Sequence, residues 1–419
     1  MLRSSFFILP AVAVVIAFVA ARLFVGIEVG DWVGRSTVDS ARSVLSTTAA
    51  ATITFASVTF SVSLLIMQQG SNQFSPRVIH GLVRDPFNRR VIALVVGTFT
   101  YCLVSLQRVR GPLAEGGEEV VPEFAVTVGL LLGVLSVLAV VAAINHTSRQ
   151  MDVSVILAGI VEQAIAVPSQ PTTGGALRPE TYGELPDDSA EPGTIIRFDA
   201  DGWIQRIDRQ GLLALTDPGS TIRLHTDTGR YAIRDTALCT IWPAVPEHQL
   251  DEITAGVRRR VSLGETRTMS EDHGFGIRQL VDVALRALSP GVNDPTTAQD
   301  AIFHLGTVLA HRLASPPAPT AYCDDERRHL LTPHALTDHD LAELALAELR
   351  RTTTNQPAVA VYLLQMIALV VDAATVHRAG SRVGPFLEQA RLIVDTVNAG
   401  DNLEVDRRHV QHAHSTLFA

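Results

Sequence analysis

The feature that most limits the folds open to this chain is the uncharged stretch Ser43 to Met67, which lies between Arg42 and Arg77. It exceeds the roughly 20 apolar residues a helix needs to cross a bilayer. In hydrocarbon every backbone polar group must be satisfied within the protein, and a helix does this locally. The stretch is nevertheless studded with hydroxyls. Ser43, Thr47, Thr54, Ser57 and Ser61 recur at helical spacing with Ala50 in register, and Thr48, Thr52, Thr59 and Ser63 form a neighbouring stripe. Small and hydroxyl side chains let membrane helices approach closely, or they line a wet cavity. Thr47, Thr54, Ser57 and Ser61 are therefore either a packing face or a pore-lining face. Beyond them follow Gln68, Gln69, Asn72, Gln73, Pro76 and Arg77. Around a symmetry axis such a run would make a hydrated cytoplasmic mouth, with a ring of positive charge favouring anions.

Three further apolar runs occupy residues 6–25, 91–107 and 124–144, so the pattern predicts four spans. Small residues at Ala17, Ala20 and Ala21 make a cleaved signal peptide the rival for the first run. Its continuation to Val25, and the three runs that follow, favour a retained helix. The arginine-dense loop 68–90 argues for a cytoplasmic position, with the acidic loop 107–124 outside and both termini inside.

Past Ile144 the helical period persists without the apolarity, which predicts an extension of the fourth helix towards Ala166. Residues 168–192, rich in Pro, Gly, Thr and acids, read as a linker. Residues 193–246 then carry short β-prone runs separated by Gly and Asp, with a short helix from Arg209 to Leu215. Their layout resembles a small barrel-sandwich of the lipoyl-like kind. From residue 247 to 419 the pattern is helical, and Ala358 to Ala374 is nearly uncharged. Gln365, Asp372 and the shortness of that stretch favour a buried core helix over a fifth span. The expected fold is thus mainly α and integral to the membrane. It comprises a four-helix transmembrane domain (residues 1–167), the linker, the β-rich insert and a helical soluble domain.

Composition removes several function classes. The chain contains no lysine, so all 34 basic residues are arginine, and Schiff-base, Walker-type and lipoyl-lysine chemistry are excluded. The net charge of −9 gives no support for nucleic-acid binding. Cys102, Cys239 and Cys323 are scattered, with no disulfide framework and no CxxC pair. No GxSxG, HExxH, P-loop or Rossmann motif occurs. The expectation is a protein that is not an enzyme and carries no cofactor or metal.

Two stretches, FASVTFSVSLLIMQQGSNQFSPRVI (Phe55 to Ile79) and FGIRQLVDVALRALSPGVNDPTTAQDAI (Phe275 to Ile302), resemble signatures of the bacterial DUF2254 membrane proteins. GTFTYCLVSL (Gly97 to Leu106) and GETRTMSEDHGFG (Gly264 to Gly276) suit the same family in the same order. The resemblance implies an N-terminal multi-span region and a C-terminal soluble region, with no assigned activity.

One acid and histidine concentration stands out: Glu271, Asp272 and His273, with Asp282, Asp294, Asp300 and His304 further on. Asp300 and His304 share a helix face at metal-ligand spacing, although an ordinary surface pair has the same spacing. Asp294 before Pro295 has the signature of a helix start, and Ser289-Pro290-Gly291 ends the helix before it. Arg267, Asp272, Asp282, Arg286, Asn293 and Asp294 are accordingly either a ligand site or a rigid joint. Asp282 and Arg286 also suit an i,i+4 helix pair. The preferred function is an oligomeric inner-membrane channel or transport protein with a cytoplasmic regulatory domain. Its partners would be the lipid bilayer, further copies of itself and a small ion or ligand. The alternative is a membrane-anchored sensor or scaffold without transport.

Overall fold

The computed structural model describes residues 8–24, 37–73, 86–110, 121–150, 152–168, 177–180 and 192–419. The chain divides into two compact units, Met1–Val155 and Ile156–Ala419.

The first unit contains helices α1 (Ile8–Phe24), α2 (Val38–Gln73), α3 (Pro86–Leu106) and α4 (Glu123–Gln150). α3 packs against α1, α2 and α4, and α2 also packs on α4. Small residues permit these approaches. A Cβ on Gly133 of α4 would stand 2.7 Å from Thr48 Cγ2 of α2. Leu45, Tyr101, Cys102, Ala125 and Val126 form one apolar cluster, and Val91, Val95, Val140 and Ala143 form another. Several buried polar groups are paired: Thr98 and Ser136 hydroxyls lie 3.0 Å apart, and Tyr101 donates to the Ala125 carbonyl at 3.1 Å. The large apolar side chains Val15, Ile16, Phe60, Leu64, Leu131 and Leu138 point outward. In water that arrangement is unstable; in lipid it is the expected one.

By length and composition, four helices suffice to cross a membrane: residues Val38–Val62 of α2, the whole of α3, residues Glu123–Thr147 of α4, and a helix of the second unit, Pro357–Val376. α1 is described over 17 residues, about 25 Å of helix, against a hydrocarbon core of roughly 30 Å. The rest of the predicted 6–25 run lies outside the described residues. The predicted extension of the fourth helix is corrected. α4 ends at Gln150, where Asp152 N donates to Arg149 O, and the Asp152 carboxylate accepts from Ser154 N to begin α5 (Val153–Ala166).

The second unit holds two sheets and a helical layer. Its strands are β1 (Arg178–Glu180), β2 (Thr194–Arg197), β3 (Gly202–Ile207), β4 (Thr221–Leu224), β5 (Tyr231–Ala232), β6 (Ala237–Trp242), β7 (Val261–Gly264), β8 (Ala321–Cys323) and β9 (His329–Leu331). Six form a mixed sheet in the order β1-β8-β9-β4-β6-β2, in which only β4 and β9 run parallel; β5-β3-β7 form the other. Two short helices flank them, α6 (Arg209–Leu213) and α7 (Glu247–Arg260). The expected self-contained barrel-sandwich at 193–246 is therefore not what forms. β1 comes from the presumed linker, and β7, β8 and β9 come from beyond the insert. Ile196, Ile222, Leu224, Leu238, Ile241 and Leu330 close a shared core, which 193–246 alone leaves incomplete.

The helical layer comprises α8 (His273–Ala287), α9 (Pro295–Ala314), α10 (Asp338–Thr352), α11 (Pro357–Val376), α12 (Gly384–Ala399) and α13 (Glu404–Leu417). α11 has span-like composition, yet it packs on α9, α12 and α13 and buries Leu363, Leu364, Met366, Ile367 and Val370.

Candidate functional site

The two hydroxyl stripes of α2 have different surroundings. Thr52 and Thr59 of the second stripe are buried within the unit. Thr47, Thr54, Ser57 and Ser61 are all exposed, as are Ser43 and Ala50. Thr54 Oγ1 donates to Ala50 O and Ser61 Oγ to Ser57 O, each at 2.9 Å. This back-bonding lowers the desolvation cost of a hydroxyl turned away from water. The packing stripe is thus the second one, and the first meets nothing within its own unit among the described residues. α2 continues to Gln73, so the polar run begins as helix. Gln68 is exposed there, while Arg77 and the side chains of Gln69, Asn72 and Gln73 lie outside the described residues.

The most developed cavity, about 520 Å³, lies within the second unit. It is framed by the end of β3, the turn 227–230, the loop into α8 and the segment 318–336. Asp272 lies at its floor, 3% exposed. Its carboxylate caps α8 by accepting from Gly274 N at 3.0 Å and takes a two-pronged pair from Arg267, with Nε to Oδ2 at 2.8 Å and Nη2 to Oδ1 at 3.0 Å. Arg267 in turn sits 5.1 Å from the Phe275 ring centre and 5.5 Å from that of Trp203, a cation–π arrangement that fixes the guanidinium. Burial raises the Asp272 pKa, and Arg267 opposes the rise. Gly229 has φ +81°, and a Cβ there would lie 2.2 Å from Asp272 Oδ2. The turn 227–230 thus requires glycine on both grounds.

Arg209 occupies one wall, with Nη2 2.9 Å from Asp227 Oδ1 and Nη1 3.5 Å from Glu271 Oε2. Burial raises the Glu271 pKa, against the Ile207 N–H and Arg209. His273, the first residue of α8, has its pKa pushed down to about 3 by burial first and then by Arg312 and Arg209. It is therefore a neutral imidazole at physiological pH. Two buried nitrogens of the lining, Arg209 Nε and His273 Nδ1, make no hydrogen bond among the described residues.

The charges are paired unevenly. All four lining carboxylates are engaged: Asp227 and Glu271 with Arg209, Asp272 with Arg267, and Asp208 with Arg260 at 2.7 Å. Arg206 and Arg230, both exposed on the lining, make no close salt bridge among the described residues, although Arg206 acts on Glu271 and Arg230 on Asp340 at longer range. Burial, Arg230 and Arg223 lower the His334 pKa beside them. The lining arginines and carboxylates are equal in number, and the exposed guanidiniums of Arg206 and Arg230 are the groups that suit an anion.

Of the residues singled out in the sequence, Arg267 and Asp272 meet at this cavity, with Glu271 and His273 next to them. The others lie elsewhere. Asp282 accepts from Arg278 at 2.8 Å on α8, and Arg286 lies in the last turn of that helix. Asn293, with φ +48°, leads into Asp294, which caps α9 through Thr296 N and Thr297 N, both at 3.1 Å. His304 Nδ1 sits 2.8 Å from the Asp300 backbone carbonyl. The acids and histidines of 271–304 thus do not converge on one centre. Sequence reading missed Arg206, Arg209, Asp227, Arg230 and His334. The signal available was the Asp227-Thr228-Gly229-Arg230 turn, where two charged residues flank a glycine.

The family model described as "Predicted membrane protein (DUF2254)" matches residues 3–369. Uncharacterised proteins of Mycobacterium bovis and Mycobacterium tuberculosis (strain H37Rv) are each 30% identical over 345 residues, covering 81% of this chain and 65% of theirs. The chain thus spans less than two thirds of the length of these curated relatives. No solved structure matches it.

Proposed function

The chain belongs to the DUF2254 family of predicted membrane proteins, and from that premise we propose that it is a membrane-anchored receptor whose second unit takes up a small anionic ligand of carboxylate or phosphate type. The observation that carries this reading is how the cavity's charges are placed. Every lining carboxylate has an arginine in salt-bridge contact, the exposed Arg206 and Arg230 make no such close pair among the described residues, and two buried nitrogens make no hydrogen bond there. Such a site has donors placed before the ligand arrives, which reduces the ordering cost of binding. The role is recognition and not catalysis, since the carboxylates that would serve as general base are held in ion pairs. In this proposal the first unit anchors the protein in the bacterial cytoplasmic membrane, with both termini on the cytoplasmic side.

The test is calorimetric titration of the detergent-solubilised chain with inorganic phosphate and with citrate. One saturable anion per chain is expected. Arg230→Gln should weaken it about tenfold or more, the equivalent of one charge-assisted hydrogen bond of roughly 1.5–3 kcal/mol. Absence of heat with both anions, or affinity unchanged by Arg230→Gln and Arg206→Gln together, sinks the proposal.

A second reading, an oligomeric channel, is favoured by one observation: the exposed face of Thr47, Thr54, Ser57 and Ser61. Copies of the chain set around an axis would place that face on a water-filled path. Conductance by the same preparation in planar bilayers would support it, and a silent monomer would remove it.

A further inference from the structure

We propose that Glu180, Cys323 and His329 hold one Zn2+ per chain, on the face of the six-stranded sheet opposite Tyr322 and Leu330 and independently of the anion cavity. The three side chains come from three adjacent strands, β1, β8 and β9. Cys323 and His329 are direct cross-strand partners, and Cys323 is also paired in register with Arg178, two residues before Glu180. Strand alternation therefore puts all three on one face, while Tyr322 and Leu330 between them are buried in the core. One ligand atom from each lies within 4.8 Å of the others, and His329 Nδ1 is 3.4 Å from a Glu180 carboxylate oxygen. Tetrahedral zinc with bonds of roughly 2.0–2.3 Å sets its ligand atoms about 3.3–3.8 Å apart. Rotation of the exposed Glu180 and a small movement of the Cys323 thiol close the difference.

The scaffold holds two of the ligands before any metal arrives. The turn joining β8 to β9 is tied by Asp324, whose Oδ1 accepts from Glu326 N and Arg328 N at 3.0 Å and whose Oδ2 accepts from Arg328 Nε at 2.6 Å. Arg178 beside the site is neutralised by its pair with Asp325. A set of one sulfur, one nitrogen and one oxygen suits a borderline ion such as Zn2+ and not Mg2+ or Ca2+, which take oxygen ligands. Three protein ligands leave a fourth position for solvent. The balance of the step is simple. The Cys323 S–H, which donates to Asp324 O at 3.3 Å, loses its proton to solvent as the S–Zn bond forms. His329 gives the Nδ1 lone pair and Glu180 a carboxylate oxygen, and no redox change occurs. The ion then ties the three-residue edge strand β1 to the β8–β9 hairpin.

The test uses the full chain, stripped with chelator and titrated with Co2+ as a spectroscopic probe. Expected is a thiolate-to-cobalt charge-transfer band that saturates at one Co2+ per chain and is displaced by Zn2+. Cys323→Ser should abolish the band, whereas Cys239→Ala should keep it, because Cys239 is fully buried in the core. Glu180→Gln alters an exposed side chain, so its folding is not at issue. It should keep the band while weakening Zn2+ binding by at least the roughly 10–100-fold that loss of an outer-shell partner costs. No band in the wild type, a band that survives Cys323→Ser, or Zn2+ affinity unmoved by Glu180→Gln would each overturn the assignment.

Discussion

α4 and α11 are both long and apolar enough to cross a bilayer, yet they dispose of their side chains in opposite ways. α4 turns Leu130, Leu131, Val134, Leu135, Leu138 and Val141 outward and places Ala125, Ser136, Val140, Ala143 and Thr147 inward. α11 turns Val359, Leu363, Leu364, Met366, Ile367 and Val370 inward against α9, α12 and α13. On α4 the small and hydroxyl residues make most of the contacts and the large ones face out, while Leu45 of α2 and Tyr101 of α3 are buried in the same unit. In the second unit the large residues make the core. That is the difference expected between association in lipid, where apolar bulk gains nothing by burial, and association in water, where it gains most. Apolarity alone therefore does not separate α4 from α11; the size of the residues on the inner face does.

The largest expected effect separates the two helices directly. Leu363 is fully buried, and Leu363→Ala should cost about 2–5 kcal/mol through lost transfer energy and a residual cavity. Leu131, 63% exposed, should tolerate alanine with little change. In a Trp32→Phe background, unfolding followed by tryptophan fluorescence reports on the second unit, because Trp203 and Trp242 lie in it, and helical circular dichroism follows both units. A charge sharpens the same contrast. Leu131→Arg should impair membrane integration by about 2.5–3.5 kcal/mol on insertion scales. Leu369→Arg, on the 60% exposed face of α11, should leave integration unchanged. Impairment by Leu369→Arg instead would make α11 a span and break the comparison.

The same contrast explains what the sequence made legible. α2, α3 and α4 followed from local apolar runs, and the start of α9 from its capping residue Asp294, because those signals act within one turn of helix; the cap at Asp272 emerged only with the structure. The sheets were not legible as built. β4 pairs in parallel with β9, and β1 pairs with β8 across more than half the second unit's length, so no local pattern reports the partner. The cavity suffered likewise. Arg267 and Asp272 stood close in sequence and were singled out, whereas Arg206 arrives from β3 and Arg230 and His334 from separate loops. For α2 the hydroxyl spacing was plain, but which of two adjacent stripes packs inward depends on α3 and α4 and not on α2 itself.

A second, smaller effect concerns acid. The buried polar groups of the first unit, Thr52, Thr98, Ser136 and Thr147 among them, are hydroxyls that do not titrate in this range. The second unit holds His273, whose pKa falls to about 3 on folding from an unfolded value near 6.5. Between those values the unfolded chain binds a proton that the folded chain refuses. Stability from this group is therefore full above about pH 6.5 and drains as pH falls towards 3. Asp272 and Glu271, raised by burial, act in the opposite sense, since they gain from protonation as pH falls through their folded values. Comparison with His273→Gln isolates the histidine. Wild type should lose up to about 3 kcal/mol relative to the variant between pH 6.5 and 4. Parallel pH profiles for the two proteins would show that His273 is not held neutral.

The smallest expected effect decides whether the Asn293-Asp294-Pro295 segment is joint or site. Asp294 accepts from two backbone N–H groups at the start of α9 and from Thr297 Oγ1 at 2.6 Å, and those bonds hold its pKa below the usual carboxylate value. Pro295 at the first helical position forfeits no hydrogen bond, and Asn293 is a residue type that tolerates its left-handed φ. Every feature of the segment is thus accounted for by starting a helix. Asp294→Ala should destabilise the second unit by about 0.5–2 kcal/mol, and Asp294→Ser, which caps nearly as well, should restore most of it. The readout is the tryptophan unfolding midpoint alongside phosphate titration, because a cap acts on the first and a ligand contact on the second. If both variants unfold like wild type yet lose anion binding, Asp294 belongs to a site; if alanine alone lowers the midpoint and binding is kept, the segment is a joint, and the second unit's recognition chemistry rests with the arginines of the cavity.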